Sequence, residues 1–285
     1  MNEKKILTNI SSKTWEHPAD RATLSVLNQN PGFDDFIKKL LNIISEKGLR
    51  LYALSSFVRA TNRQFNKIYD MLNEACKILD VHETPELYVA QFPVMNAGVI
   101  GVERPFIILN SAIIERLNDE ELFTVIGHEL GHIVSNHSLY KTLIFIVYQL
   151  SRSFLQFPFS ELVYNAILLA LYEWDRKSEL SADRAGALVI QNNAVSYSVL
   201  MKLAGGSHVD KMNIDDFFVQ ANEYEEGGDI VDSVHKIFNL LWESHPFPVL
   251  RLKELKTWFD SGSYNRIIKT IWIDQRGPAD QSRWS

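Results

Sequence analysis

The stretch Thr124-Val125-Ile126-Gly127-His128-Glu129-Leu130-Gly131-His132-Ile133-Val134 sets two histidines around an acid on an aliphatic and glycine background. At about 3.6 residues per turn, His128 and His132 project from one helix face and can grip a single ion. Glu129 follows His128 by ~100° of helix rotation, so its carboxylate can hold a water beside that ion and take the proton instead of ligating. Leu122, Ile126, Leu130, Ile133 and Val134 supply an apolar face that anchors the helix in a core. Gly127 and Gly131 each cost up to ~1 kcal/mol relative to Ala in a helix interior, so close approach of another segment is the expected compensation.

The start of this helix is encoded just upstream. Asn118 suits an N-cap, Asp119 and Glu120 occupy the first turn, and Glu121 stands at the acidic position of a capping box.

Two protein ligands are too few for catalytic zinc, which usually takes three and leaves a position open. The best third candidate is Glu179 in Glu173-Trp174-Asp175-Arg176-Lys177-Ser178-Glu179-Leu180-Ser181-Ala182-Asp183. One helical turn on, Asp183 shares its face and is placed to accept the free ring N–H of a ligating histidine. Ala182, Ala185, Gly186 and Ala187 are small, which suits tight packing against the glycines of the first helix. His137 is a rival third ligand, but five residues past His132 it sits some ~140° off the binding face of the helix and ranks low.

Further out, Pro85 to Asn110 changes to short β-rich runs, 87–90, 96–100 and 106–109, punctuated by Pro93, Gly101 and Pro105. They predict a small sheet of about three strands. Helical spacing is read over 35–48, with Gly48 as a stop, over 62–79, 162–191 and 229–243, and again after Pro246, with Gly205-Gly206 and Gly227-Gly228 in loops. The fold class is therefore mainly α with a small β-sheet.

The apolar runs 143–150 and 162–172 fall short of the ~18–20 uncharged residues that span a bilayer. They read as buried core helices, with an apolar hairpin resting on a membrane or on unfolded substrate as the alternative. A hydrophobic share of 46% and a charged share of 22% are ordinary globular values, which exclude wholesale disorder. A net charge of −6 gives no basic footprint, so nucleic acid is not an expected partner. A lone cysteine, Cys76, excludes an internal disulfide framework and a thiolate zinc site. With no apolar run of signal-peptide length at the N-terminus, the expected location is cytoplasmic, with peripheral membrane contact through 139–172 left open.

On these motifs the chain resembles the HtpX-like and CAAX-prenyl-protease-like zinc endopeptidases, whose hallmark is His-Glu-x-x-His followed by Glu-x-x-x-Asp. The matching blocks are 119–122, 127–132, 179–186 and Ser244-His245-Pro246. The resemblance implies a zincin-like fold, one Zn2+ per chain held by His128, His132 and Glu179, and Asp183 as the carboxylate behind the ligands. It implies that Asn96 and Ala97 lie on a strand that pairs with an extended protein or peptide substrate. It also implies that His245 approaches the transition-state oxyanion, while the residues alone equally allow a histidine capping the helix near Pro246. The expected organisation is an N-terminal helical region 1–82, a catalytic domain 83–262 containing an apolar helical insertion 139–172, and a tail 263–285.

The function so implied is zinc-dependent hydrolysis of peptide bonds with Glu129 as general base, in a protein quality-control setting. Two rivals stand beside it. One is a non-enzymatic, chaperone-like binder of unfolded chains through 139–172. The other is a structural metal site, against which only three ligands are on offer where four would be needed.

Overall fold

The computed structural model describes residues 4–29, 32–43, 45–152, 161–227 and 247–270. In chain order its elements are α1 (Pro18–Asn28), α2 (Phe33–Ile43), α3 (Glu46–Ser56), β1 (Val58–Arg59), α4 (Asn66–Ile78), β2 (Leu87–Ala90), β3 (Ala97–Ile100), β4 (Phe106–Asn110), α5 (Ser111–Arg116), α6 (Asp119–Val134), α7 (Ser138–Arg152), α8 (Glu161–Ile190), α9 (Asn193–Gly205), α10 (Ile214–Glu225), α11 (Pro248–Asp260) and α12 (Ser263–Lys269). The fold is mainly helical with one small sheet, as expected.

The central helix is α6. Asn118 Oδ1 accepts the Glu121 N–H at 3.0 Å, and the Glu121 carboxylate accepts the Asn118 N–H at 2.8 Å, which closes the capping box. Three acids in the first turn complement the positive end of the helix. Every residue from Glu121 to His132 is buried, so this helix has no solvent face for most of its length.

Its principal partner is α8, and the small residues explain how close the two run. A Cβ on Gly131 would stand 2.4 Å from the Ala185 Cβ, and one on Gly127 would stand 2.7 Å from the Val189 Cβ. The same holds in reverse at Gly186, whose Cβ would come within 2.8 Å of the Thr124 carbonyl oxygen. The glycines that weaken α6 as a helix are what let α8 bring its acids to the histidines.

The sheet has four strands in the order β1-β2-β4-β3. β2 and β4 pair in parallel, while β1 and β3 add antiparallel at the two edges. The two-residue strand β1 was not anticipated, because so short a run carries no alternation to read. Asn110 donates its N–H to the Asn96 carbonyl, which makes that pair hydrogen-bonded. The next pair, Ala97 with Leu109, is then of the other kind, and the backbone groups of Ala97 face the outer edge of β3.

One apolar cluster joins α4, α6, the C-terminal part of α8, α9, α11 and α12 to the sheet and includes Leu7 and Trp15 from the N-terminal segment. A second joins Leu27 of α1 and Phe33, Phe36 and Leu40 of α2 to Leu143, Ile146 and Val147 of α7 and Ile167, Leu171 and Trp174 of α8. Leu143, Ile146, Val147, Ile167, Leu168 and Leu171 of the apolar runs 143–150 and 162–172 are thus core, while Leu169 is exposed. No helix among the described residues is long and apolar enough to cross a membrane.

Gly48 does not stop a helix. It lies in the first turn of α3, where Ser45 caps by accepting the Gly48 N–H at 3.1 Å; a side-chain cap outweighs one unfavourable residue in a first turn. The expected helix over 229–243 lies outside the described residues.

Candidate metal centre

His128 lies in the interior of α6 and His132 in its last turn. Both sit in the buried last half of α6, 7% and 1% exposed, opposite Glu179, which is fully buried on α8. His128 Nε2 lies 3.4 Å from Glu179 Oε2, and His132 Nε2 lies 3.2 Å from Glu179 Oε1. Ligand atoms of the three residues fall within 4.8 Å of one another, and they are the group of that kind found among the described residues. A tetrahedral zinc with bonds of about 2.0–2.1 Å needs its ligand atoms about 3.3–3.4 Å apart. Two imidazole nitrogens and a carboxylate at these separations suit zinc, which these three residues would hold.

Asp183 stands behind His128, its Oδ1 3.0 Å from Nδ1. That contact holds the ring proton on Nδ1 and leaves Nε2 toward the centre. Asp183 is itself gripped by Arg251 of α11, through Nε at 2.8 Å and a terminal nitrogen at 2.6 Å, a bidentate pair. The other terminal nitrogen of Arg251 reaches Glu179 Oε2 at 3.0 Å. Lys141 of α7 contacts the second oxygen of Glu179 and Asp175. Two buried cations thus balance the buried acids, which would otherwise be costly.

These contacts set the charges. Burial disfavours a charged His128 ring, but the carboxylates of Asp183 and Glu179 outweigh it and raise its pKa to about 9. For His132, burial and the Lys141 ammonium prevail and hold the pKa well below the usual imidazole value. Burial pushes the Asp183 carboxyl up, yet Arg251 and His128 overcome it and leave it below its ordinary value.

His137 does not join the ligand cluster, but it was wrong to picture it on a continuing helix. After Val134 the chain leaves the helix by a Schellman turn: Asn136 adopts φ +58°, its N–H bonds the Ile133 carbonyl, and the His137 N–H reaches back to the His132 carbonyl at 2.9 Å. The His137 ring is thereby folded against His132, Nδ1 to Nδ1 at 3.0 Å. Its Nε2 lies 3.0 Å from Asp20 Oδ2 on α1.

An open cavity reaches the centre, lined by Asn96, Ala97, His128, Glu129, Asp183 and Arg251 among others. Glu129, 1% exposed, and the outer edge of β3 therefore share one wall. The Ala97 N–H at that edge is accepted by its own neighbour's side chain, Asn96 Oδ1, at 2.9 Å. So the structure gathers His128, Glu129, His132, Glu179, Asp183, Asn96 and Ala97, while His245 lies outside the described residues. Asp20, Lys141 and Arg251 were not singled out from sequence; only Arg251, a few residues past the Ser244-His245-Pro246 block, had a motif nearby.

A family model described as peptidase family M48 matches residues 62–259. The chain belongs to peptidase family M48. As an M48 chain it is a metallopeptidase that uses zinc and acts on proteins or peptides. The plastoglobule-localized metallopeptidase 48, chloroplastic, of Arabidopsis thaliana is 34% identical over 271 residues, which is 93% of this chain and 77% of that protein. A protease HtpX homolog of Helicobacter pylori (strain Shi470) is 38% identical over 87 residues, 30% of this chain and 28% of that protein. Protease HtpX homolog 2 of Methanosarcina acetivorans is 25% identical over 163 residues, 49% of this chain and 55% of that protein. No solved structure matches this M48 chain.

Proposed function

We propose that this M48 chain is an endopeptidase that cleaves extended protein segments, with His128, His132 and Glu179 as zinc ligands and Glu129 as general base. The reading is carried by one observation: His128 and Glu129 line the same cavity as Asn96 and Ala97 at the edge of β3, and His128 is grouped with the buried His132 and Glu179. When bound, zinc supplies Lewis acidity toward a carbonyl and lowers the pKa of a coordinated water toward ~7.

The chain's own residues do the rest. Glu129 takes the proton of the attacking water and returns it to the leaving amine. Asp183 keeps the His128 proton on Nδ1. The backbone of Asn96 and Ala97 receives the substrate as an added strand, which aligns the scissile bond while demanding little of its sequence. Recognition of that kind suits unfolded chains, and supports a role in protein quality control. The buried lone cysteine accords with a reducing compartment, for which we keep the cytoplasm.

A chaperone-like binder using 139–172 needs exposed apolar side chains. Leu143, Ile146, Val147, Ile167 and Leu171 are fully buried instead and Leu169 stands exposed among them, which favours the hydrolase.

The test is Glu129→Gln. Zinc content by mass spectrometry is expected to stay at the wild-type level while casein cleavage falls by at least ~10²-fold. Undiminished cleavage by the zinc-loaded variant would remove Glu129 from the mechanism.

A further inference from the structure

The two histidines of the centre are secured in different ways, and the second arrangement points to residues outside the motifs. For His132 to ligate through Nε2 its ring must be neutral with the proton on Nδ1. The partner of that Nδ1 is His137 Nδ1, at 3.0 Å. With His132 donating, His137 Nδ1 must accept, so the His137 proton sits on Nε2, and Nε2 is the atom that faces Asp20 Oδ2 at 3.0 Å. The opposite arrangement would put the His132 proton on Nε2 and take that ring away from the metal.

Asp20 is in turn immobilised. Trp174 Nε1 donates to its Oδ1 at 3.1 Å and Ser181 Oγ to its Oδ2 at 2.6 Å. The Ser181 hydroxyl also accepts the backbone N–H of His17 at 2.9 Å, and His17 caps α1 by accepting the Ala19 N–H on its own Nδ1. His132, His137 and Asp20 are 1%, 2% and 2% exposed, so water does not stand in for any member.

We infer that His137 and Asp20 are positioning residues for the metal, a two-step hydrogen-bond chain that fixes the tautomer and ring plane of His132. Through it the N-terminal helix α1, remote in sequence from both motifs, becomes part of the metal centre. The inference rests on His132 being a ligand. Partners of this kind typically govern metal affinity by about 10- to 100-fold.

The experiment follows zinc release from the full chain into excess chelator, with the absorption spectrum of the cobalt-substituted protein recorded in parallel. His137→Phe removes the acceptor for the His132 N–H and is expected to speed release by about 10- to 100-fold and to shift the cobalt bands. His137→Gln, whose amide oxygen can accept, is expected to recover part of the loss. Asp20→Asn, nearly isosteric, is expected to speed release in the same direction and decides the matter if His137→Phe does not fold. A merely structural network would lower the melting temperature of apo and zinc-loaded protein alike and leave release and cobalt bands unchanged. That result in folded Asp20→Asn overturns the inference while leaving the ligand set standing. Wild-type protein that binds no zinc, or His132→Ala that releases it at the wild-type rate, would instead overturn the ligand reading, and this inference with it.

Discussion

His128 and His132 are one turn apart on the same helix and face the same glutamate, yet their surroundings differ. His128 is braced by a single carboxylate, Asp183, one turn from Glu179 on α8 and itself locked by Arg251. His132 is braced through a second imidazole to a carboxylate on α1, which also accepts a tryptophan N–H and a serine hydroxyl. A charged anchor raises the pKa of the first ring to about 9, whereas burial and Lys141 keep the second neutral. Two histidines one turn apart on one helix thus need not have equal supports.

The sharpest way to break this comparison is Asp183→Asn. It loosens His128 and leaves the buried guanidinium of Arg251 without its bidentate partner, a situation that typically costs about 3–5 kcal/mol. Urea unfolding of the metal-free protein is expected to show a loss of that order, with zinc affinity in chelator competition falling about 10- to 100-fold. Asp20→Asn strands no cation and is expected to cost less stability. Equal losses would mean that the two supports are equivalent after all.

Both supports presuppose the tight α6–α8 pairing. Gly131→Ala places a methyl group 2.4 Å from the Ala185 Cβ, and overpacking of that kind costs about 1–3 kcal/mol. Gly98→Ala meets nothing within 4 Å and is expected to stay within about 0.5 kcal/mol of wild type in the same unfolding assay.

The smallest effect is in the pH dependence of the His132 side. Burial raises the Asp20 carboxyl, but His137, Ser181 and Trp174 outweigh it and leave its folded pKa below the ordinary 3.8. A depressed carboxyl contributes stability that is present above its unfolded value and is lost as pH falls through the folded one. The stability gap between metal-free wild type and Asp20→Asn is therefore expected to be constant above about pH 5 and to narrow below about pH 4. A gap that widened on acidification would reverse the sign assigned to Asp20.

Much of the centre was legible because its residues obey a period. His128, His132, Glu179 and Asp183 are each placed by one turn of helix, the capping box at Asn118 and Glu121 is a fixed-offset pattern, and glycine facing alanine announced the contact between α6 and α8. The short β1 strand and helices α9 and α10 were not read, since the first is too short for alternation and the others lack a strong apolar stripe beside their Gly205-Gly206 break.

His137 shows where such reading stops. A helical wheel kept it off the ligand face, but the wheel assumed a helix that in fact ends at Val134, three residues earlier, before a left-handed Asn136. By itself, then, the sequence determined a His-Glu-x-x-His helix, a second helix bearing Glu179 and Asp183, and the small residues that let them meet. Only the tertiary structure decided that Asp20, 154 positions from the Trp174 it bonds, would stand behind His132, and that Arg251 and Lys141 would balance the buried acids. Helical periodicity is a local property of the backbone, whereas these contacts depend on how separate helices dock, and a docking contact leaves no period in the chain.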